Sequence, residues 1–441
     1  MNEQRAWYVY DFANSAFAST VVTLFLGPYL TSLAKNAAGA DGFVYPLGIP
    51  IEPRSWWGYM VALSVMTQVV VLPLAGTIAD FSPNKKRLLG LCAYTGVAAT
   101  IAMFTLEGAR YLLGGFLFLI ANLAFGASIV VYNSFLPDIS TLEERDTVSS
   151  RGWGLGYLGG GIVLALNLAL FSNADALGLS EGLAVRISLA SAGIWWGLFT
   201  IVPLIGLKNR PPARVDANRI GLGSGFKQLI TTVREMRRYP QTLTFLIAYL
   251  IYNDAVQAVI TLSGQFGSDE LKIPMASLTL AILMVQFMAF AGALLFNVLA
   301  KAMGAKRAIQ LSLCIWSGVI LAIYLTVRTT QEFFIMAAVV AVVLGGTQAL
   351  SRSLFSQMIP EGREGEYFSL YEISDKGTSW MAPLIFGLAL QFTGSYRTAI
   401  LSLLTFFVVG LIILSRVDVG RATREAANDA APLAHHQLGN V

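Results

Sequence analysis

Histidine is nearly missing from this chain. Its only two, His435 and His436, stand in a polar stretch near the C-terminal end. No histidine proton relay or histidine metal site can therefore be built within the apolar body. Cysteine is equally scarce: Cys92 and Cys314 lie far apart in apolar stretches. They support neither a disulfide framework nor a metal motif and read as small apolar core residues. Charge is the third shortage. Charged side chains make up 13% of the 441 residues, against 55% hydrophobic ones, whereas soluble domains carry roughly 25% charged residues. That leaves too little polar surface to coat a water-soluble particle, and lipid is the expected solvent. No short basic stretch, brief apolar core and small-residue cleavage site opens the chain, so the first apolar segment is expected to remain as a span. Nothing calls for a cofactor, a metal or a nucleic-acid partner.

What the chain does have is long apolar segments. About 20 residues cross a bilayer core of about 30 Å, and by that measure there are twelve candidates. They centre near Val21, Gln68, Val97, Leu123, Val163, Trp196, Ile251, Phe287, Ile315, Val342, Pro383 and Phe406. The eleventh is the most polar, with Glu372, Asp375 and Lys376 in its first turns. Residues 208–239 divide the spans six and six. Within that basic linker Phe226, Leu229, Ile230 and Val233 recur at helical spacing, with Lys227, Arg234, Arg237 and Arg238 around them. The pattern suits an amphipathic helix lying on the membrane surface; a solvated linker helix is the alternative. The glycines of "GLGSG" precede no Gly-Lys-Ser/Thr, so no phosphate-binding loop is expected.

The expected fold is an all-α integral membrane protein of two pseudo-symmetric six-helix bundles. One covers residues 1–207 and the other 240–416, with a tail over 417–441 expected to be disordered. Basic residues orient it. With the N-terminus cytoplasmic, the inner segments hold Lys85, Lys86 and Arg87, the linker, Lys301, Lys306 and Arg307, and Arg416, Arg421 and Arg424. About 21 Lys and Arg then fall inside and about 7 outside, which the positive-inside rule favours. A cell (inner) membrane protein with both termini cytoplasmic is the expectation.

Corresponding spans share traces, as a duplication requires. Span two ends in "GTIADFSPNKKR" and span eight in "NVLAKAMGAKRA", setting Asp80 against Lys301 and Lys85 and Lys86 close to Lys306 and Arg307. Span one has "YDFAN" and span seven "YNDAV", each an aromatic-acid-amide cluster. Duplicated halves of this kind place the substrate between them near mid-membrane. Gly76-x-x-x-Asp80 followed by Lys85-Lys86-Arg87 resembles the loop between spans two and three of the major facilitator superfamily. In that superfamily the loop is a cytoplasmic gate whose Asp holds neighbouring helices and releases them as the halves rock. Lys301 departs from the pattern in the second copy. "YDFANSAF", "YNSFLPDIS", "GWGLGYLGGG", "YND" and "QALSRSLFSQMIP" together resemble the superfamily's vacuole-effluxer-like branch, from about Trp7 to Leu414. That resemblance implies secondary transport and, from the branch's eukaryotic members, amino-acid export.

Charges within spans cost several kcal/mol each when unpaired, from about 2.5 upward, which makes them functional candidates. Asp11 and Asn14 share a face at i and i+3, and Asn253 with Asp254 occupies the matching region of span seven. Asp11 now reads as one half of a paired polar site able to take a substrate ammonium or a coupling proton. The alternative is an acid near the headgroups at a helix N-terminus. Glu372 and Lys376 stand at the i, i+4 spacing of an intrahelical ion pair, with Lys376 otherwise shared with a substrate carboxylate or Asp254. Gln348 faces a cavity on this reading, and Arg352, one turn on, either gates or snorkels to the cytoplasmic surface. Gly152, Gly156 and Gly160 form a smooth face for close helix packing, and Asp138 is placed to pair with Arg151 as a gate latch.

The expected activity is secondary active transport of a small polar solute, an amino acid or similar zwitterion, coupled to protons by default. The partners expected are that solute, the bilayer and the proton, with the chain a monomer. A drug or metabolite exporter is the rival within transport. A membrane sensor or scaffold is the rival outside it, against a tail too short for a signalling domain. An intramembrane enzyme lacks a nucleophile or metal constellation.

Overall fold

A computed structural model describes residues 2–211, 232, 234–376 and 381–427 of the protein. Among these residues every regular element is helical, and a lone bridge between Val44 and Ile51 is the one β pairing. The helices are α1 (Glu3–Ala37), α2 (Trp56–Phe81), α3 (Lys85–Ala102), α4 (Tyr111–Asn133), α5 (Arg145–Ser172) and α6 (Glu181–Gly206). Then follow α7 (Pro240–Gln265), α8 (Met275–Met303), α9 (Ala305–Leu325) and α10 (Thr330–Ser356). The last are α11 (Glu364–Lys376), α12 (Met381–Thr393) and α13 (Tyr396–Ser415).

Among the described residues eleven helices are long and apolar enough to cross a membrane, and a twelfth segment, Met381–Leu390, is apolar but shorter. Large apolar side chains such as Met66, Leu91, Ile205 and Val298 stand exposed along the long helices, as a lipid-facing surface allows. Hydroxyl side chains set several starts. Ser180 accepts from the Leu183 N–H at the head of α6, and Thr329 with Glu332 forms a capping box at the head of α10. Within α1 the stretch Phe17–Phe25 is wound as a π-helix.

Expected span eleven departs from a lipid-facing span in its first part, and its two described parts flank residues 377–380, which lie outside the described residues. Its first part, α11, carries Glu364, Glu366, Glu372 and Asp375 and could not face lipid; residues 362–372 are buried within protein instead. The apolar part, α12, begins at Met381. The tail departs too. Residues 419–427 are helical rather than disordered, because Asp418 caps the Arg421 N–H and Arg421 pairs with Glu425 one turn on. Phe226, Leu229, Ile230 and Val233 of the expected surface helix lie outside the described residues.

The chain forms two compact units. The first holds Met1–Leu72, Pro83–Tyr132 and Leu155–Arg210; the second holds Pro73–Ser82, Asn133–Gly154 and Pro211–Val441. In the first, α1 lies on the glycine face of α5. A Cβ added at Gly159 would come 2.3 Å from the Phe12 carbonyl oxygen, and Gly156 and Gly160 meet Ser15 as closely as glycine permits. Trp7 stacks on Tyr132 and donates its indole N–H to the Tyr132 carbonyl at 2.9 Å. In the second unit Trp316 of α9 stacks on Phe407 of α13.

Each unit also ties a helix pair together at both ends with cations. In the first, Lys86 at the head of α3 donates to the Leu207 carbonyl just past α6, at 3.2 Å. Arg186 near the head of α6 reaches back to the Phe104 carbonyl after α3, and pairs with Glu107. In the second, Lys306 at the head of α9 donates to the Ser415 and Val417 carbonyls after α13, at 2.8 and 2.7 Å. Arg397 at the head of α13 donates to the Ile323 and Val327 carbonyls at the end of α9, at 3.1 and 2.6 Å, and pairs with Glu270. Positive groups on orphan carbonyls at helix C-termini are favoured both by hydrogen bonding and by the helix dipole.

Candidate functional site

Polar side chains of α7, α10 and α11 meet inside the second unit. Gln348 donates to the Asn253 side-chain carbonyl at 2.8 Å, and the Asn253 amide donates to Asp375 Oδ1 at 2.7 Å. Tyr249, one turn before Asn253, donates its hydroxyl to the same oxygen at 3.1 Å. Asn253 and Gln348 were both expected in the site, and the structure brings them together. Asp375 and Tyr249 join them without having been chosen from the sequence. An acid in a span was visible at 375, and Tyr249 lies at i, i+4 from Asn253, so the signal lay in the spacing.

Asp254 is 1% exposed and points elsewhere. Its Oδ2 accepts the Ala382 N–H of α12 at 2.8 Å. Its Oδ1 has no hydrogen-bond partner among the described residues. Asp11 and Asn14 are both buried in the first unit. Asp11 stands more than two turns beyond the start of α1 at Glu3, which removes the helix-terminus explanation for it. Asn14 Nδ2 is buried without a partner among the described residues.

A second cluster is built from helix ends. Asp80, at the end of α2, accepts the Gly365 and Glu366 N–H groups at 2.7 and 2.9 Å, one on each carboxylate oxygen. These are first-turn donors of α11 with no partner in their own helix, and the positive helix end favours a carboxylate there. The backbones approach so closely that only glycine fits. A Cβ at Gly76 would lie 2.2 Å from the Gly365 carbonyl oxygen, and one at Gly365 would lie 2.5 Å from that of Gly76. Arg363 backs this contact through ion pairs with Glu366 at 2.8 Å and Glu235 at 2.5 Å. Burial works against its charge, but the Glu366 hydrogen bond and charge outweigh it and move its pKa above the ordinary arginine value.

Arg352 does not snorkel. It is 3% exposed and donates to Ser149 Oγ and the Ser149 carbonyl, both at 2.9 Å, while lying over the Trp153 ring. Protein acceptors meet its guanidinium, so it has no need to reach water. Asn133 bridges it to Glu372, offering its carbonyl to Arg352 at 3.5 Å and its amide to Glu372 at 3.0 Å. The partner seen for Glu372 is therefore Asn133, and the Lys376 side chain lies outside the described residues. Nearby, Arg145 donates to the Ser356 carbonyl at 2.5 Å, and Asp146 accepts from Ser353 and Gln357.

The expected Asp138–Arg151 latch is not formed. Arg151 is exposed and makes no ion pair among the described residues, while Asp138 faces Arg145 electrostatically. Lys86 is engaged at the end of α6, and Arg87 is exposed. Lys85 is buried.

The fold has known counterparts. A family described as "Vacuole effluxer Atg22 like" matches residues 1–427. The MFS-type transporter YxiO of Bacillus subtilis is 32% identical over 423 residues, covering 96% of each chain. Autophagy-related protein 22-1 of Penicillium rubens is 26% identical, over 91% of this chain and 81% of its own. Among solved structures, a proton:xylose symporter of the major facilitator superfamily superposes with a TM-score of 0.71 at 11% identity, over 95% of both chains. A bacterial homologue of the iron transporter ferroportin, in an outward-facing state, reaches 0.67 at 13% identity over 94% of this chain and 99% of its own. At such identities the likeness shows a shared fold. The chain is a multi-pass membrane transporter of the major facilitator superfamily, not an enzyme, and it belongs to the vacuole effluxer Atg22-like family.

Proposed function

We propose that the protein moves a small polar solute, an amino acid or related zwitterion, by alternating access coupled to protons. The observation that carries this reading is the ordered chain Gln348–Asn253–Asp375–Tyr249, which joins the membrane-spanning helices α7 and α10 to the protein-buried helix α11. A charge in such a place is costly and is kept where it meets a cargo or an ion. Asp11, Asn14, Asn253, Gln348 and Asp375 are the proposed solute contacts, joined by Glu372 and Lys376. Asp254, whose Oδ1 has no donor among the described residues, is the proposed proton carrier.

Asp80 with Gly76, and Arg352 with the Ser149 contacts, are the proposed gate; Lys85, Lys86, Arg87, Asp138 and Arg151 are its flanking charges. The duplicated halves are proposed to rock, and the repeated cation caps of α3–α6 and α9–α13 support that duplication. The chain is proposed to act as a monomer in the cell membrane with both termini cytoplasmic, as its basic loops favour.

Counterflow tests the transport reading. Proteoliposomes loaded with unlabelled amino acids, singly and across side-chain classes, are diluted into trace radiolabelled solute. Transient accumulation with at least one zwitterion is expected, and it should fall about tenfold or more in Asn253→Ala, as loss of an oriented polar contact costs. No counterflow with any amino acid would overturn the substrate class. A solute that raises thermal stability yet never crosses would favour a sensor on a transporter fold.

A further inference from the structure

The last turn of the linker presents two chemically opposite faces. Met236 is fully buried, Tyr239 is buried, and Glu235 turns inward to pair with Arg363 at 2.5 Å. Thr232 hydrogen-bonds Glu366. Arg363 and Glu366 are themselves an ion pair, and the Glu366 N–H is one of the two donors held by Asp80. A continuous path of ion pairs and hydrogen bonds thus joins the linker to the α2–α11 contact.

On the opposite face, Arg234, Arg237 and Arg238 are all exposed and make no ion pair among the described residues. They lie within six residues of Pro240, where the apolar helix α7 begins. Three guanidinium groups with no ion pair among the described residues thus stand next to the start of a helix long and apolar enough to cross a membrane. Guanidinium forks match phosphate oxygens, and each basic residue near an anionic leaflet adds about a fivefold attraction.

We infer that Arg234, Arg237 and Arg238 form a docking face for the phosphate headgroups of anionic phospholipids. Binding there steadies Glu235 on Arg363 and so holds the Asp80 contact with the Gly365 and Glu366 amides closed. The arginines are exposed while Glu235 is engaged, so headgroup binding is compatible with the closed contact and favours it to the extent that the arginines meet the headgroups better in that state. The inference rests on reading the Asp80 contact as a gate, but it makes a claim about the contact that is measurable without any solute.

The test is hydrogen exchange of the full-length protein in nanodiscs of phosphatidylcholine alone or with phosphatidylglycerol, reading peptides that contain Gly365 and Glu366. Exchange is expected to be slower by about fivefold or more with phosphatidylglycerol. The exposed triple variant Arg234→Gln, Arg237→Gln, Arg238→Gln should abolish that difference while keeping the phosphatidylcholine rate. Glu235→Gln should exchange faster in both lipids and lose the lipid dependence. Equal wild-type rates in the two lipids would overturn the inference. So would a lipid dependence that survives in the triple variant or in Glu235→Gln. If the lipid dependence holds while counterflow fails for every amino acid, the proposed substrate class falls and the docking face stands.

Discussion

Asp80 and Asp254 perform the same chemical task at two places. Each places carboxylate oxygen on backbone N–H groups of a helix that is not its own: Asp80 on α11 at Gly365 and Glu366, Asp254 on α12 at Ala382. The acids differ in what surrounds them. Asp80 has both oxygens engaged by α11, whereas one oxygen of Asp254 lacks a partner among the described residues. Replacing Asp80 with Ala should leave the protein folded but slow turnover, measured as the rate of solute exchange in proteoliposomes; wild-type turnover would remove Asp80 from the gate. Gly76→Ala should act on the same contact by steric means, since its Cβ would meet the Gly365 carbonyl oxygen at 2.2 Å. The expected cost is about 1–3 kcal/mol of overpacking, seen as a lower unfolding temperature in detergent. An unchanged temperature would show that the helices separate freely there.

At the scale of elements, periodicity and apolar length made most of the helices legible. The burial of the eleventh expected span's polar first part was not legible, because hydropathy averages over a window and does not register that α11 is buried in protein rather than in lipid. The tail helix followed from a cap at Asp418 and one ion pair, signals too short to outweigh a polar composition. Of the two roles open to Arg352, snorkelling fails for a related reason. Snorkelling is the default for a cation near a span end, and only the structure shows Ser149, Asn133 and Trp153 gathered around it. That Lys85 and Lys86 fall close to Lys306 and Arg307 was visible in the sequence, yet the shared task of Lys86 and Lys306 on helix C-termini was not. That task predicts a measurable loss. Lys306→Met and Arg397→Met should each lower stability by about 1–2 kcal/mol, the upper range for a partly buried cation at a helix C-terminus. Thermal unfolding in detergent reads this, and values equal to wild type would reduce these contacts to incidental ones.

For the whole molecule, the family and the fold were legible from distributed motifs, whereas the candidate site was legible only in part. Asn253 and Gln348 are joined as their positions implied; Asp375 and Tyr249 completed the group only once three helices were placed together. Transport coupled to protons requires a group that can change its proton while the solute exchanges across the gate. The most direct measurement compares wild type and Asp254→Asn in proteoliposomes with an imposed pH gradient, using a solute that passes the counterflow test. The account predicts that wild type accumulates the solute against its gradient, while Asp254→Asn still exchanges it but no longer accumulates it. Unchanged accumulation in the variant would contradict the account.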